Sequence, residues 1–134
     1  MTLTDTGPLV AQFNAADQHA SRLRNLRLPA GEPLAVPAPC LFEACYLVGA
    51  RMGARAEVAF VRSTAAGTVV DLAARDYARA ADLMARYADL PLGFVDAALV
   101  ALAERLGVTT LLTLDRRHFS IVAPAHCSSF TLLP

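Results

Sequence analysis

The sequence contains no lysine and no tryptophan, and its charges cancel, because twelve arginines stand against twelve acidic residues. A net charge of zero excludes a protein that holds nucleic acid through bulk positive field alone, so a polyanionic partner must be met locally. The three cysteines form no Cys-x-x-Cys pair, and an odd count with no leader segment argues against a disulfide framework. No apolar run approaches the roughly 20 residues of a membrane span. We therefore expect a cytoplasmic protein that makes no membrane contact.

The chain is long enough to form one hydrophobic core. Its 134 residues are 55% hydrophobic and 18% charged, with ordinary numbers of glycine and proline. This composition excludes the disordered, collagen-like and low-complexity classes. A chain of this size buries roughly two-thirds of its unfolded surface on folding. The composition predicts a single globular domain over residues 1–134.

Short β-rich segments alternate with helical periodicity along the chain. The pattern predicts strands at residues 1–4, 34–36, 68–70, 109–114 and 130–133. It predicts helices at about residues 8–14, 17–26, 40–52, 54–63, 73–86 and 94–106. Asp17 and Asp71 are the expected caps of the second and fifth helices, and residues 29–33 form a turn. This alternation indicates an α/β domain whose mostly parallel sheet is covered by helices.

Four acidic residues have no evident partner in the sequence. Asp5 and Asp115 each follow a predicted strand, at the edge where parallel sheets bind ligands. Glu43 has apolar residues three and four positions away on either side, which predicts a carboxylate held against the core, and Asp96 likewise has no cation at those offsets. Each aspartate also has an ordinary explanation: Asp5 as a helix cap, Asp96 as a first-turn acid, and Asp115 as a partner of the two arginines after it.

Convergence of these four carboxylates without a cation would make them repel one another and take up protons. A divalent metal ion supplies the missing charge, and Mg²⁺ or Mn²⁺ prefers carboxylate and water oxygens. Such ions keep several water ligands, which suits a site that must also accept a substrate phosphate. The four acids therefore indicate a metal site at the carboxyl edge of the sheet.

Several segments together resemble a known family. The stretch D-T-G-P-L-V-A from Asp5 resembles the opening strand and turn of PIN-domain nucleases, and residues 39–47 around Glu43 resemble their second acidic motif. The stretches F-V-D-A around Asp96, A-L-A-E-R-L-G at residues 101–107 and L-T-L-D-R-R-H-F at residues 112–119 are similar to the C-terminal half of the VapC toxins of that family. The resemblance covers nearly the whole chain and implies a three-layer α/β/α fold.

What the resemblance implies is a ribonuclease toxin of a bacterial toxin–antitoxin pair. Asp5 and Asp96 would be the principal ligands of Mg²⁺ or Mn²⁺. Glu43 would hold a ligand water or a second ion and help to deprotonate the attacking water, and Asp115 would complete the site. By this analogy the enzyme hydrolyses an RNA phosphodiester and leaves a 5′-phosphate and a 3′-hydroxyl.

Residues beside the four acids have expected roles of their own. Thr6 and Thr113 are expected to donate hydrogen bonds to the neighbouring carboxylates. Arg116 and Arg117 are the best candidates for phosphate contacts. His118 is interpreted as a structural residue at a strand exit, because a metal site needs no separate general base. The remaining candidates for the walls of an RNA groove are better explained as solvated surface: Arg22, Arg24, Arg27, Arg51 and Arg55.

The family resemblance also implies partners. These are a cognate antitoxin protein, a structured RNA of the tRNA or rRNA class, and a second copy of the chain in a homodimer. The segment at residues 54–65 is a candidate antitoxin surface, because Val58, Phe60 and Val61 exceed what so small a core can bury.

Two other interpretations remain open. One is a catalytically idle PIN-like interaction module whose acids only cap helices, although the presence of all four acids counts against it. The other is a housekeeping PIN nuclease with no antitoxin. A phosphatase with an aspartyl nucleophile is disfavoured, because it needs a D-x-D motif and the residue two positions after Asp5 is Gly7.

Overall fold

A five-stranded sheet runs through the centre of the molecule. The computed structural model describes residues 1–28 and 30–134, so Pro29, the first residue of the predicted turn, lies outside the described residues. The strands are β1 (Thr2–Thr4), β2 (Leu34–Pro37), β3 (Thr68–Val70), β4 (Thr110–Leu112) and β5 (Thr131–Leu133). Their order is β3-β2-β1-β4-β5, and all four pairings are parallel. The predicted strands are confirmed, and the sheet is wholly parallel.

The described residues also form seven helices. They are α1 (Thr6–Phe13), α2 (Ala20–Asn25), α3 (Ala38–Met52), α4 (Ala54–Thr64), α5 (Ala74–Arg86), α6 (Phe94–Leu106) and α7 (Arg116–Ile121). The first six lie within three residues of their predicted bounds. The short helix α7 has no counterpart in the prediction, because six residues are too few to show a helical period.

Both of the predicted aspartate caps are wrong. Asp17 accepts a 2.7 Å hydrogen bond from the amide of His19 in the turn before α2, and α2 begins three residues later than predicted. At the start of α5 the side chain of Asp76 accepts from the amide of Ala73 at 2.8 Å, and Asp71 lies upstream of this cap. In both places an aspartate accepts from a free backbone amide, but this aspartate does not occupy the predicted cap position of the helix.

Helices cover both faces of the sheet. On one face Leu3, Ala35 and Leu111 are fully buried in a core that includes α5 and α6. On the other face Leu112 packs against α1 and α2, and Val36 packs against a cluster from α1, α3 and α4. The layers therefore stack as α/β/α, as the resemblance implied.

Among the described residues, no helix combines the length and apolar character that a bilayer crossing requires.

Helix α6 is the most deeply buried helix of the fold. Residues 97–103 are all at most 2% exposed, and alanines among them let the sheet and α5 approach closely. The helix ends at Gly107, whose φ of 67° is a left-handed conformation that glycine adopts without a steric penalty. This packing fixes the first turn of α6, which carries Asp96, relative to the strands.

Candidate active site

The ends of the two central strands bring the first acids together. Asp5 directly follows β1, and Asp115 lies three residues beyond β4, which pairs with β1. The amide of Asp5 donates a 2.9 Å hydrogen bond to the carbonyl of Leu112, so the parallel pairing continues to the end of β4. Both side chains therefore lie at the carboxyl edge of the sheet, where ligands of parallel sheets bind.

Asp5 is held by a network of short hydrogen bonds. Its Oδ1 accepts from the amide of Thr6 at 2.7 Å, so Asp5 does cap α1. Its Oδ2 accepts from the hydroxyl of Thr113 at 2.8 Å. The same Thr113 oxygen accepts from the amide of Asp115 at 3.0 Å. Asp5 therefore caps α1 and also lies close to the other acids.

Glu43 enters the site from α3, but it is not held against the core. The residues of α3 that face the core include Cys40, Leu41 and Ala44, whereas Glu43 is exposed. The prediction of a buried carboxylate is wrong because its apolar neighbour Tyr46 is itself 72% exposed. Glu43 Oε2 instead accepts a 2.6 Å hydrogen bond from the hydroxyl of Thr6. Thr6 therefore links the two acids, because its hydroxyl donates to Glu43 and its amide donates to Asp5.

Asp96 and Asp115 meet at the ring of His118. Asp96 lies in the first turn of α6, and Asp115 caps α7 by accepting from the amide of His118 at 3.2 Å. Nδ1 of His118 lies 2.8 Å from Oδ2 of Asp96 and 3.2 Å from Oδ2 of Asp115. His118 lies on α7 rather than at a strand exit, and its ring faces the acids. The sequence signal that identifies His118 is a D-x-x-H spacing, in which Asp115 caps the helix that carries His118.

The four acids lie in one open cleft of about 610 Å³, which we call the acidic cleft. Its walls also carry cations, namely Arg51, Arg116 and Arg117. The other lining residues are Thr6, Gly7, Val10, Ala11, Asp17, Leu47 and Leu114. Arg51, which the sequence analysis assigned to ordinary surface, thus lies beside the acids.

Burial and mutual repulsion raise the pKa values of two of these acids. Burial raises the pKa of Asp5 to about 6, the hydrogen bonds from Thr113 and the Thr6 amide oppose the rise, and the charges of Asp96 and Asp115 add to it. Burial also raises the pKa of Asp96, against the hydrogen bond and charge of His118. Asp5 and Asp96 therefore lose solvation in the cleft and are repelled by neighbouring carboxylates when they are charged.

The donor set of the acidic cleft fits a divalent metal ion. Within residues 1–28 and 30–134, no arginine is hydrogen-bonded to any of the four acids. Asp96, Asp115 and His118 offer ligand atoms that all lie within 4.8 Å of one another, which is close enough for one ion. Carboxylate oxygens are the donors that hard divalent ions prefer, so this cluster can hold such an ion.

The chain matches the PIN domain family over residues 2–123. It is 36% identical to Ribonuclease VapC26 of Mycobacterium tuberculosis over 134 residues, or 98% of this chain and 99% of that protein. The crystal structure of Mycobacterium tuberculosis VapC20, described as a sarcin–ricin loop cleaving toxin, is similar with a TM-score of 0.76 and 25% identity over 87% of this chain and 92% of that one. VapBC2 from Rickettsia felis, bound to a DNA fragment from its promoter, shares the fold with a TM-score of 0.73 and 16% identity over 98% and 96% of the two chains. The chain therefore belongs to the PIN-domain family, as a VapC-type toxin ribonuclease of a toxin–antitoxin system.

Proposed function

We propose that this toxin hydrolyses RNA at the acidic cleft, with Asp5, Glu43, Asp96 and Asp115 as its catalytic residues and Mg²⁺ or Mn²⁺ as the bound ion. The observation that carries the proposal is the convergence of four carboxylates with raised pKa values at two of them and no arginine bonded to any of them among the described residues. A divalent cation removes this electrostatic conflict and is attractive to a substrate phosphate.

The four acids have different tasks in this proposal. When bound, the ion supplies positive charge that stabilises the attacking and leaving oxygens of the phosphodiester. Asp5 and Asp96 hold the ion from the end of β1 and the start of α6, and Asp115 adds a carboxylate from the end of β4. Glu43 is exposed in the cleft, so its carboxylate can accept the proton of the attacking water.

Two threonines fix the orientations of these acids. Thr113 is 1% exposed and bridges the side chain of Asp5 and the backbone of Asp115. Thr6 orients Glu43 through its hydroxyl. Hydrogen bonds of this kind to ligating groups typically change metal affinity or activity by 10–100-fold, so we assign both threonines a positioning role.

We propose Arg51 and Arg117 as the main phosphate contacts in the cleft. Within the described residues neither guanidinium has a hydrogen-bond or ion-pair partner, which leaves both available to RNA. Arg116 also lines the cleft, but its Nη2 donates to the carbonyl oxygens of Leu132 and Pro134. Arg116 therefore contributes positive charge from a fixed position. Arginine contacts to phosphates set the register of an RNA without specifying its sequence.

The substrate class that we propose is structured tRNA or rRNA. The similarity to VapC20, a sarcin–ricin loop cleaving toxin, makes that loop the first probe to use. We also propose a cytoplasmic location for the enzyme, because tRNA and rRNA are found in the cytoplasm.

We propose a cognate antitoxin as the protein partner, seated on a groove between α1 and α4. This apolar groove has a volume of about 240 Å³ and is lined by side chains that include Leu9, Phe13 and Phe60. Helix α1 carries residues of both this groove and the acidic cleft, so one bound segment can reach from the first to the second. The prediction that Phe60 belongs to an exposed antitoxin surface is wrong, because it is 5% exposed and packs against Phe13, whereas Val58 and Val61 are exposed.

A homodimer is the oligomeric state that we propose. Phe42 and Tyr46 on α3 are 69% and 72% exposed, and the stacked pair of Tyr77 and Phe94 borders the same groove as Phe42. We propose that this aromatic patch packs against its own copy across a two-fold axis. Light scattering of the wild type and of Phe42→Glu tests this proposal, with a dimer expected for the first and a monomer for the second.

Cleavage of an RNA hairpin carrying the sarcin–ricin loop, together with total RNA, tests the proposed activity. We expect cleavage with Mg²⁺ or Mn²⁺, none with EDTA and none with Asp96→Asn. Asp82→Asn is the matched control, because Asp82 is exposed on α5 and does not line the acidic cleft. Full activity of Asp96→Asn, or cleavage in EDTA, would contradict the proposal.

A further inference from the structure

The ring of His118 is hydrogen-bonded to one carboxylate of the acidic cleft and lies beside a second. His118 lies on α7, between Asp115 at the start of that helix and Phe119, which is 1% exposed and anchors α7 in the core. Its Nδ1 faces Oδ2 of Asp96 at 2.8 Å and Oδ2 of Asp115 at 3.2 Å. One nitrogen is thus aimed at two carboxylates from different elements of the fold.

These separations match those of ligands that share an ion. In an octahedral site with bonds of about 2.1 Å, neighbouring ligand atoms lie about 3.0 Å apart. The two distances from Nδ1 of His118 lie on either side of this value, and the three ligand atoms all lie within 4.8 Å of one another. Asp96, Asp115 and His118 therefore offer donor atoms that are grouped closely enough to hold a single ion.

We propose that Nδ1 of His118 is a direct ligand of the divalent ion, next to Asp96 and Asp115. This inference rests on the proposed function, which places a divalent ion in the acidic cleft. It adds a nitrogen donor to a set of carboxylates. Imidazole suits transition metals, whereas Mg²⁺ is held through oxygen, so the mixed set favours Mn²⁺ over Mg²⁺.

The exposure of the ring agrees with this assignment. The side chains of His118 and Asp96 are both 21% exposed, so neither is sealed in the core. Phe119 supplies the core contact of α7 instead. The core packing of α7 therefore depends on Phe119 and does not require the ring of His118.

Pulsed electron paramagnetic resonance of bound Mn²⁺ tests the proposal on the intact protein. Nitrogen-14 modulation of a bound Mn²⁺ signal reports a directly coordinated imidazole. We expect this modulation in the wild type and in His126→Gln, and its loss in His118→Asn. His126 is the matched control, because its Nε2 contacts the carbonyl of Val108 at the opposite end of β4 from Asp115.

The outcomes separate this inference from the proposed function. Bound Mn²⁺ without nitrogen modulation in the wild type would overturn the role of His118 and leave the carboxylate site standing. Failure of the wild type to bind Mn²⁺ at all would overturn both. Because the wild-type spectrum is decisive, the inference remains falsifiable even if His118→Asn folds poorly.

Metal affinities give a second readout that does not depend on RNA cleavage. We expect His118→Asn to raise the Kd for Mn²⁺ about tenfold or more, and to raise the Kd for Mg²⁺ less. Thermal unfolding in EDTA shows whether the variant is folded. An equal loss for the two ions would contradict a nitrogen ligand.

Discussion

The hydroxyl of Thr113 donates a 2.8 Å hydrogen bond to Oδ2 of Asp5 across the two central strands of the sheet. Because the same oxygen accepts from the amide of Asp115, it cannot turn away without leaving that amide unpaired. The two acids at the strand ends are thus fixed by one buried side chain. The orientation of the carboxylates in the acidic cleft therefore depends on Thr113.

Thr113→Val should therefore lower RNA cleavage about 10–100-fold, because it releases Asp5 and Asp115 while preserving side-chain shape. The loss of a buried hydrogen-bond partner should also cost about 1–3 kcal/mol of unfolding free energy. Thr2→Val is the matched control: Thr2 is fully buried at the other end of β1 and donates to Glu32. Its stability should fall by a similar amount while its cleavage rate stays at the wild-type value, as single-turnover assays can measure.

The pKa of about 6 at Asp5 makes the metal-free protein less stable as the pH rises. Between the ordinary value of 3.8 and about 6, the folded state keeps a proton that the unfolded chain has released. The unfolding free energy must fall with rising pH in this range, by about 3 kcal/mol for the full shift at this one group. Urea denaturation in EDTA at several pH values measures the slope.

Asp5→Asn should remove most of this slope and stabilise the metal-free protein at neutral pH, while abolishing cleavage. The asparagine carbonyl can still accept from the amide of Thr6, so the start of α1 is preserved. A variant that loses stability at neutral pH would show that the charge of Asp5 stabilises the fold rather than straining it.

Arg117→Ala should weaken RNA binding at low salt and leave the fold unchanged. Loss of one phosphate contact lowers the slope of log K against log salt by about 0.7 for single-stranded RNA. Filter binding to catalytically inactive protein at several salt concentrations measures this slope. Arg55→Ala is the control, because Arg55 is exposed on α4 outside the cleft, and an equal change in both variants would argue against a specific role for Arg117.

Leu99→Ala should cost about 2–5 kcal/mol of unfolding free energy. Leu99 is fully buried on α6, three residues from Asp96, and its removal leaves a cavity between the helix and its neighbours. Leu106→Ala, at a position that is 37% exposed on the same helix, should cost much less. Equal losses in thermal unfolding would mean that packing along α6 is not what fixes it.

Much of the fold was predictable, because its main elements have strong local signals. Helix α6 is a long segment with apolar residues at helical spacing, and it ends at Gly107. Its predicted bounds match those of the structure. The parallel sheet followed from the alternation of strands and helices. The convergence of Asp5 and Asp115 followed from their positions after strands, since neighbouring parallel strands end at one edge.

Other features of the site depend on tertiary contacts that leave little local trace. Apolar neighbours in the sequence predicted burial of Glu43, but Tyr46 is exposed on a face of α3 that the core does not cover. The approach of His118 to Asp96 depends on α7, which is too short to show a period. The assignment of Arg51 to the cleft required the relative placement of α3 and β4.

The pairing of β1 with β4 also sets when the cleft can form during protein synthesis. Asp5 and Thr113 are 108 residues apart, and the chain segment between them carries Glu43 and Asp96. Because a growing chain folds from its N-terminal side, three of the four acids leave the ribosome before β4 is available to pair with β1. A chain interrupted before β4 lacks Thr113, Asp115 and His118 together. The nascent chain can therefore acquire an ordered cleft only after β4 has been synthesised and has paired with β1.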